Sequence, residues 1–106
     1  MNYIYLIRMN NAFKIGKTDN LNRRLGQLKT GNPYIEDYYE YFELKEEINP
    51  YHTETALHNS FKNKKIKGEW FELDINDFNN MNIILKNKIN RHIIIDLENH
   101  YSNFSR

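Results

Sequence analysis

With 106 residues, of which 40% are hydrophobic, the chain has room for one domain with one modest core. It contains no cysteine, which excludes a disulfide framework and a thiolate zinc site and suits a reducing, intracellular setting. The formal net charge of +1 hides an uneven distribution: Lys14, Lys17, Arg23, Arg24 and Lys29 gather early, Lys62, Lys64, Lys65 and Lys67 form a second basic block, and Glu36 to Glu47 is acidic. The beginning of the chain lacks the basic flank and apolar run of a signal peptide, and no stretch approaches the ~20 apolar residues that span a bilayer, so a soluble protein without membrane contact is expected.

Tyr3 to Arg8 is rich in β-branched and aromatic residues and reads as a strand. Asn10-Asn11 suits a two-residue hairpin turn, with Ala12 to Gly16 returning. In that register Arg8 faces Phe13, Ile7 faces Lys14 and Tyr5 faces Gly16, which brings Tyr5 and Lys14 out on one face of the ribbon. Thr18-Asp19-Asn20 can cap a helix from about Leu21 to Lys29, stopped at Thr30-Gly31-Asn32-Pro33. Leu21, Arg24, Leu25 and Leu28 form its core-facing stripe, and Arg24 is out of place there, because a buried unpaired charge is costly.

Ile35 to Leu44 suggests a third strand. Asn49 and Pro50 begin a second helix running to about Lys62, whose stripe Glu54, Leu57, His58 and Phe61 repeats the anomaly with the opposite sign. Asn63 to Lys67 reads as a basic loop, followed by Gly68 to Leu73, expected to dock on the core through Trp70 and Phe71. Asp74 can cap a third helix with Phe78, Met81, Ile84, Leu85 and Ile89 as its apolar side. From Arg91 the pattern fits either more helix or a strand at Ile93-Ile94-Ile95, and the polar end from Glu98 reads as a frayed tail.

Gly16-Lys17-Thr18 between strand and helix invites comparison with a phosphate-binding loop, but Asn11 stands where that loop needs its first glycine. His52, Glu54 and His58 lack the spacing and third ligand of a zinc site. Tyr5, Lys14, Arg24, Glu54 and His58 fit phosphodiester hydrolysis better. That reaction needs a carboxylate for a divalent metal, a base for the attacking water and a cation for the charge developing on phosphate. The structural alternative is a buried Arg24–Glu54 ion pair with Tyr5 packed on it.

Tyr3-Ile4-Tyr5, Lys14-Ile15-Gly16-Lys17-Thr18, Arg24, Glu54 with Leu57-His58, and Gly68-Glu69-Trp70-Phe71-Glu72-Leu73 resemble, in order and spacing, the GIY-YIG nuclease superfamily, and within it a compact branch of phage, viral and bacterial proteins. The resemblance covers about residues 2–73. It implies a mixed α/β (α+β) fold, a small three-stranded antiparallel sheet flanked by helices; residues 74–97 then read as a helical extension of the same single domain and 98–106 as a tail. It also implies metal-dependent cleavage of DNA using Mg2+ or Mn2+. Tyr5 matches the tyrosine of the first motif, a base or water-positioning group, and Lys14 stands where the second motif usually has tyrosine, as or beside the base. Arg24 matches the arginine that stabilises the transition state, and Glu54 the glutamate that binds the metal. Two departures stand out: Tyr3 replaces the first motif's glycine, and Leu28 replaces a frequent His or Tyr, so that a proton-handling or phosphate-contacting group is either missing or supplied from elsewhere, with His58 as the candidate. Lys17, Arg23, Lys64, Lys65 and Lys67 are candidates for holding nucleic acid. The expected setting is intracellular, in the cytoplasm, or in the nucleus or a viral factory for a eukaryotic virus. With no extra DNA-binding domain, a nuclease of this size is expected to have low sequence specificity, to dimerise, or to be targeted by a partner protein. Two other classes fit the same residues: a catalytically weak nucleic-acid-binding module of the same fold, and a protein-interaction module using the tyrosine-rich acidic segment.

Overall fold

A computed structural model of the chain describes residues 1–9, 12–31 and 38–96. Tyr3–Met9 (β1) and Ala12–Thr18 (β2) pair antiparallel with Tyr5 opposite Gly16 and Ile7 opposite Lys14, the register expected from a two-residue turn. The turn itself, Asn10-Asn11, lies outside the described residues. Leu21–Gly31 forms α1, capped by Asn20, whose Oδ1 accepts from the Arg23 amide at 3.0 Å. The expected stop at Asn32-Pro33 and the expected strand start at Ile35 also lie outside the described residues; the third strand, β3, is Tyr38–Leu44. Asn49 caps α2 (Pro50–Ser60) through the His52 amide at 3.0 Å, with Pro50 in the first turn, where its missing N–H costs nothing.

The rest of the chain corrects two expectations. The basic segment is a 3-10 turn at Lys62–Lys64 followed by a strand, β4 (Lys65–Lys67), which pairs with β5 (Trp70–Phe71) across Gly68, whose φ of 58° favours glycine. The helical extension is a helix only over Ile75–Leu85 (α3), and Ile89–Asp96 is a strand, β6, paired along β3. Among the described residues the sheet therefore has six strands, in the order β4-β5-β2-β1-β3-β6, rather than three, and the pairings are antiparallel. Ile89 concealed the change. Four residues beyond Leu85 it continues the helical stripe, yet it also packs on the core as the first residue of β6.

The alternation of β1 and β2 splits the interior in two. Ile4, Leu6, Phe13 and Ile15 face α2 and α3 and join Phe42, Leu57, Phe61, Phe71, Met81 and Leu85 in the larger cluster. Tyr5 and Ile7 point the other way, beneath α1, with Leu28 buried and Leu21, Leu25, Tyr39 and Tyr41 around them. Asp74 and Asp77 form a capping box at the start of α3, each side chain accepting from the other's amide, at 3.0 and 2.9 Å. Among the described residues no helix is long and apolar enough to cross a membrane.

Candidate active site

β5 is so short that on β2 it pairs with Phe13 and Lys14 alone, so the outer edge of β2 needs other partners beyond them. The Ile15 amide still reaches Glu69 O at 3.1 Å, and α2 supplies the rest. His58 Nε2 lies 2.9 Å from Ile15 O; a carbonyl only accepts, so this nitrogen carries the proton and donates. One helical turn earlier, Glu54 lies near enough to Lys17 for the Lys17 amide and charge to lower its pKa. Glu54 and His58 share a stripe with Leu57 and Phe61 because together they replace a strand along the edge of β2.

Arg24 does not pair with Glu54 in a buried ion pair. Its Nε donates to Tyr5 Oη at 3.1 Å, and this hydroxyl is the partner that the guanidinium needs within the stripe of α1. Tyr5 reaches that position by lying across Gly16, where an added Cβ would collide with the phenol. Tyr5 is only 2% exposed. Burial raises its pKa against the opposing influence of Arg24, which keeps the phenol neutral. Arg24 is held charged more firmly, chiefly by the bond to Tyr5 and also by the fields of Glu69 and Glu54.

Lys14 emerges on the same face as Tyr5, as the register required, but it is engaged: its Nζ lies 3.1 Å from Glu69 Oε2 and 5.4 Å from the centroid of the Trp70 ring. Glu69 is the site residue that sequence reasoning missed, having been absorbed into an apolar docking run. The available signal was a single acid at a turn beside a glycine. Desolvation, and then repulsion from Glu69, raise the pKa of Glu54, against the lowering influence of His58 and Lys17. Tyr5, Arg24, Glu54 and Glu69 thus form one electrostatic cluster.

An open cleft of about 610 Å³ lies alongside, lined by Lys17, Thr18, Asp19, Arg23, Arg24 and Gln27, with Asn2 and Pro50 at its margin. Three cations face one acid there, and Arg23 is paired with that acid, Asp19, at 3.0 Å. Arg24 joins the cleft to the cluster; Tyr5, Lys14, Glu54 and His58 are not among the residues lining it. Of the remaining basic candidates, Lys65 and Lys67 are exposed on β4. Lys64 is committed to the α3 capping box, with Nζ 3.3 Å from Asp74 Oδ2 and 3.2 Å from Asp77 Oδ2.

Glu54 offers a hard oxygen donor whose ionised form is disfavoured by burial and by Glu69, and a divalent cation would relieve both effects. Among the described residues no group of three or more His, Cys, Asp or Glu side chains could hold a metal. A single carboxylate is the kind of donor that a hard cation such as Mg2+ takes while keeping most of its waters.

Fold and site together define a small α+β domain with a basic cleft at one end of its sheet. The chain belongs to the T5orf172 domain family, whose family model matches residues 2–86. The match runs past Leu73, through α3, and ends before β6. No curated protein and no solved structure matches the chain.

Proposed function

We propose that the protein is a metal-dependent DNA endonuclease of the GIY-YIG type, hydrolysing phosphodiester bonds with low intrinsic sequence specificity. The observation that carries this reading is Arg24. Tied through Nε to a buried phenol, it keeps the terminal nitrogens of its fork for an oxyanion, and it stands at the wall of a cleft that also presents Lys17 and Arg23. That is the geometry needed for charge growing on a phosphate in the transition state.

Glu54 would hold the metal, which when bound supplies charge neutralisation and an activated water. Hydrolysis adds the water oxygen to phosphorus and breaks a bridging P–O bond; the water's proton goes to a base and the leaving oxygen takes one up. Tyr5 is poorly placed as that base, being secluded and neutral. Because its oxygen already accepts from Arg24, its own proton is left to donate, so Tyr5 is assigned to orienting Arg24 and a water or phosphate oxygen. Lys14 is assigned to the attacking water, which requires that the Glu69 pair first be opened. His58 is assigned to fixing α2, and with it Glu54, against β2.

A second reading, a nucleic-acid-binding module without turnover, is favoured by the closed Lys14–Glu69 pair. Nicking of supercoiled plasmid with Mg2+ or Mn2+ separates the two. The nuclease reading expects cleavage that is lost in Glu54→Ala and Arg24→Ala. Salt-dependent binding of DNA, with wild type and both variants equally inert, would leave the binding module.

A further inference from the structure

We propose that Trp70 is a stacking platform for an unpaired nucleobase, so that the DNA taken by this site is a strand with unpaired or displaced bases beside the phosphate held by Arg24. The phosphate half of this statement rests on the nuclease reading; the base half rests on the surroundings of Trp70.

Register places Trp70 opposite Lys14 on β2 and opposite Lys67 on β4, so a row Lys67–Trp70–Lys14 crosses the edge of the sheet. Lys14 shares its face with Gly16 and Tyr5, the face covered by α1. The apolar side of α1 packs on β1 and β3, through Tyr5, Ile7, Tyr39 and Tyr41, and Trp70 belongs to neither apolar cluster. The β4–β5 hairpin does not need the indole as an anchor, because the neighbouring Phe71 is fully buried. A partly exposed tryptophan between two lysines, one with its ammonium 5.4 Å from the ring centroid, combines a π face for a base with cations for the flanking phosphates.

Two residues along β2 and two strand spacings across the sheet put Trp70 about 12 Å from Tyr5, so one nucleic-acid strand can reach both. In a regular duplex the bases stack on one another. The indole can therefore compete only for a base that is unpaired or turned out of the helix.

Trp70 is the only tryptophan in the chain, so its emission reports directly on stacking. The test titrates the whole protein in EDTA at low salt with three oligonucleotides of equal length: single-stranded thymidine, its blunt duplex, and an abasic strand. The expected result is saturable quenching by the single strand, little by the duplex, and none by the abasic strand even where it binds. Read instead by the fluorescence anisotropy of an end-labelled single strand, Trp70→Ala should weaken binding about tenfold while Trp70→Phe retains most of it, both variants keeping the wild-type circular dichroism. Equal quenching by abasic and base-bearing strands, or wild-type affinity in Trp70→Ala, would overturn the proposal. The titration involves no turnover. A protein that quenches but does not nick plasmid therefore loses the nuclease reading alone, and one that nicks without quenching loses the stacking proposal alone.

Discussion

The two faces of the sheet are built from the same strands and do different work. Toward α2 and α3, β1 and β2 present Ile4, Leu6, Phe13 and Ile15 to a continuous apolar interior that also takes Leu57, Met81 and Leu85. Toward α1, the same strands present Tyr5, Ile7, Lys14 and Gly16, a thinner layer in which polar groups sit beside a small apolar cluster. Alternation along a strand lets one segment carry an apolar core on one side and polar side chains on the other. A charge on the thin side is solvated or bonded at modest cost, whereas one on the thick side would have to be sealed.

The division predicts effects that separate by face. The largest loss of stability is expected from Leu85→Ala, where a fully buried side chain far from the cleft is removed: about 2–5 kcal/mol by urea unfolding, with nicking per folded molecule unchanged. A parallel loss of nicking would show that the faces are not separable. Gly16→Ala comes next and should do the reverse. Its Cβ must displace the Tyr5 phenol, at roughly 1–3 kcal/mol, and breaking the Arg24 bond should lower cleavage more than stability. Tyr5→Phe keeps the ring and removes only the hydroxyl, which accepts from Arg24 and has a proton to donate, so about 0.5–1.5 kcal/mol is expected, with reduced cleavage and DNA binding near wild type.

A subtler test is the pH dependence of Glu54. Its folded-state pKa is raised above the ordinary value of 4.5, so the folded protein holds that proton more tightly than the unfolded chain. The resulting stability is fully present below that ordinary value and is lost as pH rises through the raised one. Relative to Glu54→Gln, wild type should therefore lose stability as pH rises above about 4.5, and Mg2+ should restore it in wild type only. Denaturation curves measured side by side, with and without the cation, give the sign. The smallest effect is expected for Lys64→Met, a slight drop in melting temperature without loss of cleavage, because Lys64 serves the α3 capping box.

Much of this was legible in the residues and some of it was hidden for physical reasons. The hairpin register followed from alternation, and both capping asparagines from their position before apolar stripes. Arg24 and Glu54 were visible as charges out of pattern, but the partner of Arg24 was not. A tyrosine hydroxyl nineteen residues earlier leaves no periodic trace, and two opposite charges invited a pairing in place of the bond that Arg24 makes to Tyr5. β4 and β5, at three and two residues, are too short to show alternation. Glu69 became visible only when the hairpin placed it against Lys14.

The family match ends at residue 86, yet β6 begins at Ile89. Along β3, Arg91 stands 3.4 Å from Glu43 and His92 stands 3.4 Å from Glu40, and both acids are buried. A chain trimmed to the matched segment would lose the Arg91 counter-charge and the His92 ring and turn β3 from an interior strand into a bare edge, open to pairing with other molecules. The last strand thus acts as a selvedge, closing the weave beyond the point where the family pattern stops.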